Sequence, residues 1–301
     1  LSLHDALPIW ADLMSFCGAT LPDPFVPGEV LYANAIWGSN RGYSDISAKT
    51  VRATPIDTGV RNLVLIVAGQ SNRTSVAPSA YTPANPTKID NLNLYDGQIY
   101  AAADPMLGCS YIAGGFGTPV IGCVALRVAD LFITNGIFDR VIIVPIAVAA
   151  TQVAHWDTGG ALANRIPAAI KRCIAKGIVP GMTNVTFAIE WGQGEGDYAT
   201  NQADYQAALN RVIANSQLAG FIGRWFVAKQ SYTNGTAFAQ VVAAQTAVLN
   251  GSTVFTSANA DLLVGANRAI YGTDDTHFSD VGNANLATAI YDAMHASGSP
   301  Y

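Results

Sequence analysis

The run Leu63-Val64-Leu65-Ile66-Val67-Ala68-Gly69-Gln70-Ser71-Asn72 decides how the rest of the chain is read. Its apolar part is continuous rather than alternating, which suits a strand covered on both faces, as strands in parallel sheets are. The run stops at Gly69, and small polar residues follow at once. In open parallel sheets ligands bind beyond the carboxyl ends of the strands, so Ser71 stands where a nucleophile belongs.

Similar apolar runs recur at Val141 to Val148, Val185 to Trp191 and Trp225 to Lys229. Amphipathic stretches separate them: Val124 to Asn135, Leu162 to Lys176 with Leu162, Ile166, Ile170 and Ile174 at four-residue spacing, and Ala203 to Ser216. A helix from Ala237 to Leu249, the segment Ser252 to Ala258 and a last helix from Asp280 to His295 follow. Strand and helix in alternation give βαβ crossovers, so the expected fold is α/β: one three-layer α/β/α sandwich with a central parallel sheet, over residues 61–301. Residues 73–118, rich in Pro, Asn, Tyr and Gly, show neither period and read as a substrate-facing excursion.

Residues 10–60 are rich in Pro, Gly and aromatics and read as the remnant of a preceding segment or a linker. Residues 1–9, Leu-Ser-Leu-His-Asp-Ala-Leu-Pro-Ile, can be encoded by a widely used sequencing-adapter oligonucleotide. They are read as translated adapter on a truncated metagenomic frame and set aside from the fold.

Half of the 301 residues are apolar, enough for a full core, and Lys plus Arg number 16 against 21 acids, a net charge of -5. The electrostatic footprint of a nucleic-acid binder is therefore missing. Only 12% of residues are charged, as in many secreted or assembly-embedded proteins; this leans toward an extracellular, periplasmic or phage-associated setting without fixing the localisation. The longest apolar stretch falls far short of the roughly 20 residues that cross a bilayer. Cys17, Cys109, Cys123 and Cys173 are scattered without metal-ligand spacing, so no metal site is expected. Cys109 and Cys123 read either as a disulfide, in an oxidising compartment, or as buried free thiols.

The strand ends supply the polar chemistry: Gln70-Ser71-Asn72, Ala149-Ala150-Thr151 and Gln193-Gly194-Glu195. Among the four histidines, His4 is in the adapter-like stretch, His295 is near the tail and His155 has no early acid partner. His277 remains as the base, and Asp274 precedes it by three residues, so a single loop can deliver both imidazole and carboxylate.

These residues resemble the SGNH, or GDSL-like, hydrolase superfamily, and within it the sialate O-acetylesterase and carbohydrate esterase family 6 branch. The branch opens on Gly-Gln-Ser-Asn, present as Gly69 to Asn72; its Trp-x-Gln-Gly-Glu-x-Asp block is Trp191 to Asp197; its Asp-x-x-His block is Asp274 to His277. Two departures stand out. The usual Gly-Gly-Thr block is Ala149-Ala150-Thr151 here, and alanine is uncomfortable wherever positive φ is required. Arg73 replaces an apolar residue and is expected to alter the acyl or leaving-group pocket.

The resemblance implies a flavodoxin-like fold and a serine esterase that takes acyl groups, acetyl above all, from carbohydrate hydroxyls through an acyl-enzyme. It implies Ser71, Asp274 and His277 as the triad, with no cofactor. The backbone N–H groups of Ser71 and Ala150 (with Ala149 as the alternative) and the Gln193 side-chain amide would form the oxyanion hole, supported by Gln70, Asn72, Glu195 and Asp197. Paired carboxylates for glycoside hydrolysis are a weaker reading of Glu195 and Asp197. Tyr81, Tyr95 and Tyr111 are candidates for stacking against sugar rings. Two other readings remain: a non-catalytic carbohydrate-binding or structural module of a phage or cell-surface assembly, and an α/β-hydrolase lipase or peptidase. Arg73 breaks the Gly-x-Ser-x-Gly pattern of the last.

Overall fold

The computed structural model describes residues 45–52, 56–109, 121–268 and 275–296. The adapter-like stretch, most of the N-terminal segment, and the residues His4, Cys17, Tyr111 and Asp274 lie outside the described residues. The elements in order are β1 (Asn62–Gly69), β2 (Ser75–Ala77), β3 (Ile89–Leu92), β4 (Ile99–Ala101), β5 (Gly122–Cys123), α1 (Val124–Thr134), β6 (Arg140–Pro145), α2 (Val153–Trp156) and α3 (Arg165–Ala175). Then come β7 (Val185–Gly192), α4 (Gln202–Leu218), β8 (Arg224–Lys229), α5 (Ala239–Ala247), β9 (Val254–Asn259) and α6 (Asp280–His295).

Seven strands form one sheet in the order β4-β3-β6-β1-β7-β8-β9. All neighbours run parallel except β4, which is antiparallel to β3 at the edge. The strand that decides the fold is also its centre: β1 is buried along its whole length between β6 and β7. Val64, Ile66 and Ala68 face one core with α3, α4 and α5, while Leu63, Leu65 and Val67 face another with α1 and α6. The result is the expected three-layer α/β/α sandwich, and its need for apolar residues on both faces of each central strand explains the continuous runs. Two helix starts are fixed by side chains: Asn201 accepts from the Asp204 N–H at 2.9 Å and Ser279 from the Gly282 N–H at 3.1 Å.

Residues 73–118 depart from the expectation of a patternless excursion, because β3 and β4 within them extend the sheet. The polar residues of β3 are paired by partners outside the strand. Asp90 accepts from Arg140 at 2.6 Å, and Asn91 exchanges hydrogen bonds with the backbone of Leu107 at 2.8 and 3.1 Å. Part of the stretch read as a linker also joins this edge, since Arg52 N–H donates to Ile99 O and Ala101 N–H to Thr50 O, each at 2.8 Å.

Cys109, Cys123 and Cys173 are buried free thiols; Cys109 donates to Met106 O and Cys123 to Arg73 O, each at 3.7 Å. Among the described residues no helix is long and apolar enough to cross a membrane, and no group of His, Cys, Asp and Glu could hold a metal ion.

Asp104 accepts from the backbone N–H groups of Tyr81 at 2.9 Å and Cys123 at 3.1 Å. Burial pushes its pKa from 3.8 up to about 7, against the pull of those donors and of Lys49. The folded chain thus keeps a proton that the unfolded chain has already released, so stability falls as pH rises through this window. Asp104→Asn should remove that part of the slope: between about pH 4 and about pH 8, the urea midpoint of the parent should fall more than that of the variant.

Candidate active site

At its carboxyl end β1 runs against β7 with Gly69 opposite Gly192. A Cβ on Gly69 would sit 2.1 Å from Gly192 O, and Gly69 has φ +127, so no other residue fits. Gln70 N–H donates to Gly192 O at 3.0 Å, and the chain then turns through one 3₁₀ turn, Ser71–Arg73. Thr74 closes the turn, its N–H and hydroxyl both donating to Ser71 O, at 2.9 and 2.7 Å. Ser71 is held at the carboxyl edge of the central strand, where β6 and β7 flank it.

Arg73 does not reach a pocket, contrary to expectation. Its side chain is fully buried and forms a two-pronged pair with Glu190 of β7, Nε to Oε2 at 2.6 Å and Nη2 to Oε1 at 2.8 Å. Ser257 adds a third hydrogen bond to the carboxylate at 3.0 Å. The arginine bolts the turn that carries Ser71 to the neighbouring strand.

The segment after β6 brings Ala150 to φ 59, the left-handed region where a Cβ is unfavourable. Ala149 is buried and Ala150 exposed. Thr151 fixes the turn by donating its hydroxyl to Val148 O at 2.8 Å and accepting from Trp156 Nε1 at 3.1 Å. Among the described residues, no hydrogen bond is donated by the backbone N–H of Ser71 or of Ala150.

After β7, Gln193 links neighbouring segments. It is fully buried, and its side-chain amide donates to Asp197 Oδ2, to Thr151 O at 2.9 Å and, more weakly, to Gln70 Oε1 at 3.2 Å. Two amide hydrogens thus already meet three acceptors, while Tyr205 donates to its Oε1 at 2.9 Å. Gln193 ties together the segments that follow β1, β6 and β7. Asp197 also accepts from Val153 N–H at 2.9 Å, and burial raises its pKa although Gln193 and Val153 pull the other way. Trp191, in the same motif, is core: its ring meets Trp156 edge-on at 5.4 Å.

A second cluster joins the Ser71 turn to the chain's end. Asn72 Nδ2 donates to Glu195 Oε1 at 2.7 Å and to Thr276 O at 3.1 Å, and Thr276 immediately precedes His277. Gln230 Nε2 donates to the same Glu195 oxygen at 2.6 Å. Burial raises the pKa of Glu195, opposed by these hydrogen bonds. Glu195 and Asp197 therefore sit in separate hydrogen-bonded clusters, which does not suit a carboxylate pair flanking one bond. His155 closes a helix cap, its Nδ1 accepting from Gln152 N–H at 2.9 Å, and burial lowers its pKa. Of the described tyrosine candidates, Tyr81 has Arg127 over its ring at 4.3 Å and Tyr95 is in the core.

Sequence reading missed Gln230, Gln245 and Arg268. Gln245 was visible in principle, since it lies on the buried face of α5 with Val241 and Ala244, where an amide calls for partners; it donates to Gln193 O at 2.8 Å and Gln230 O at 2.9 Å. A cavity of about 380 Å³ lined by Phe187, Ile222, Arg224 and Thr253 lies at the opposite, amino edge of the sheet.

Solved structures align with this chain. A protein from Arabidopsis thaliana aligns at 18% identity and TM-score 0.57 over 77% of this chain and 97% of its own. NanS aligns at 14% and 0.52 over 78% and 96%. A carbohydrate acetylesterase from Xanthomonas citri aligns at 11% and 0.43 over 77% and 55%. No protein-family model and no curated protein matches the chain.

Two outcomes follow for stability. Arg73→Met, which strands Glu190, should cost about 3–5 kcal/mol in urea unfolding, and adding Glu190→Leu should recover much of it. Ala150→Gly should gain about 0.5–1 kcal/mol, as relief of the left-handed strain exceeds the entropy cost of glycine.

Proposed function

We propose that this chain is a serine esterase that removes a small acyl group, acetyl above all, from a carbohydrate hydroxyl. The observation that carries the reading is the hydrogen bond from Asn72, next to Ser71, to the carbonyl of Thr276, next to His277. It brings the neighbours of the proposed nucleophile and base together at the carboxyl edge of the sheet, where such folds bind ligands.

In this reading His277 takes the Ser71 proton as Ser71 Oγ attacks the ester carbonyl, and Asp274, three residues earlier, orients the imidazole. The backbone N–H groups of Ser71 and Ala150 receive the developing oxyanion; neither donates elsewhere among the described residues. Collapse of the tetrahedral intermediate expels the sugar hydroxyl, protonated by His277. Water activated by the same imidazole then releases acetate from the acyl-enzyme.

Gln193, its donors engaged by Asp197 and Thr151, holds the segments that form the oxyanion hole rather than the oxyanion itself. The carbohydrate substrate and the sialate O-acetylesterase branch rest on the Gly69–Asn72, Trp191–Asp197 and Asp274–His277 motifs. The fold shared with NanS agrees with that reading.

The test sets the parent beside Ser71→Ala on aryl acetates, acetylated xylan and acetylated sialic acid. The parent should release acetate, and the variant should lose at least about 10³-fold in kcat with an unchanged unfolding midpoint. Equal release by both proteins would refute the esterase reading; sugar binding with no hydrolysis by either would favour the non-catalytic module.

A further inference from the structure

Arg268 lies outside every motif that points to Ser71 and His277, yet its side chain is fully buried beside the residues that flank His277. Its donors go to three backbone carbonyls: Nε to Leu263 O at 2.6 Å, Nη2 to Ala260 O at 2.7 Å, and Nη1 to Thr276 O at 2.5 Å. Two rings enclose the guanidinium, with its carbon 4.6 Å from the Tyr232 centroid and 4.3 Å from the Phe278 centroid. Thr276 and Phe278 are the residues on either side of His277.

Only arginine can do all of this at once. A planar fork reaches carbonyls in several directions while its faces stack on aromatic rings, whereas lysine offers a compact charge on a flexible stem. Burying a guanidinium is also costly. Burial indeed pulls the Arg268 pKa down, opposed by the attraction of Glu195. An aliphatic side chain would fill the space without that cost, so the charge is retained for what its fork holds.

We propose that Arg268 is a positioning residue for ester hydrolysis, gripping both flanks of His277 so that the imidazole meets Ser71 in a single geometry. The proposal rests on the reading of Ser71 as nucleophile and His277 as base. The Thr276 carbonyl is the shared post, since it accepts from Arg268 on one side and from Asn72 on the other. Releasing the arginine frees the base's loop from its bracing while leaving Ser71 and its turn intact. Misplacement of a catalytic group by about 1 Å can cost about 10²-fold in rate.

The experiment measures kcat and KM on an aryl acetate for the parent, Ser71→Ala, Arg268→Lys and Arg268→Ala, the last with and without added ethylguanidinium. Arg268→Lys should lose about 10-fold to 10²-fold in kcat with little change in KM. Arg268→Ala should lose at least as much, and ethylguanidinium should restore part of its kcat by refilling the site. A lysine variant with the parent's kcat overturns the positioning role, as does a loss confined to KM or a folded alanine variant that ethylguanidinium cannot rescue. If Arg268→Ala fails to fold, the kcat of Arg268→Lys decides. A parent without Ser71-dependent hydrolysis would instead overturn the esterase reading and this role with it, so the two failures are distinguishable.

Discussion

The close approach of Gly69 and Gly192 is the constraint on which the site depends. A side chain on Gly69 would strike Gly192 O at 2.1 Å, and a Cβ on Gly192 would strike the Arg73 guanidinium at 2.3 Å. Two central strands can meet this tightly only where both lack side chains, and the chain must then turn away sharply. That turn presents Ser71. The space left at Gly192 admits the arginine that locks the turn to Glu190. The placement of Ser71 and the room for the buried ion pair thus both depend on a single pair of glycines.

Around this point the protein builds with amides more than with charges. Gln70, Asn72, Gln193, Gln230 and Gln245 are all buried, and each has hydrogen bonds to another amide, a carboxylate or the backbone. An amide both donates and accepts without a net charge, so it can link loops in a dry interior at lower desolvation cost than an ion. The arrangement is exacting nonetheless, because removing one member leaves its partner's buried group unpaired, at about 1–3 kcal/mol.

The sequence revealed the parts of this design that are local. Apolar runs exposed β1, β6, β7 and β8, since strands covered on both faces need them. The discomfort of alanine at the second motif was legible too, and Ala150 does adopt φ 59. What stayed hidden depends on distant partners. Strands β3 and β4 are short, and the polar Asp90 and Asn91 of β3 are paired by Arg140 and Leu107 outside the strand. Arg73 looked like a pocket residue because its partner, Glu190, lies 117 residues away inside an apolar strand. Gln193 belonged to a recognisable motif, but whether its amide faced a substrate or the interior turned on Thr151 and Tyr205.

The bond between Asn72 and Thr276 spans 204 residues, and β1 takes its partners from β6 and β7, far later in the chain. Made from its N-terminus, the polypeptide exposes its most apolar strand long before either neighbour exists. The centre of the sheet therefore waits on the arrival of its flanks, a topology of distant contacts that slows folding and favours aggregation of unfinished chains. The edge beside Ser71 is completed late, because the Thr276 carbonyl that Asn72 binds belongs to one of the last described segments to be made.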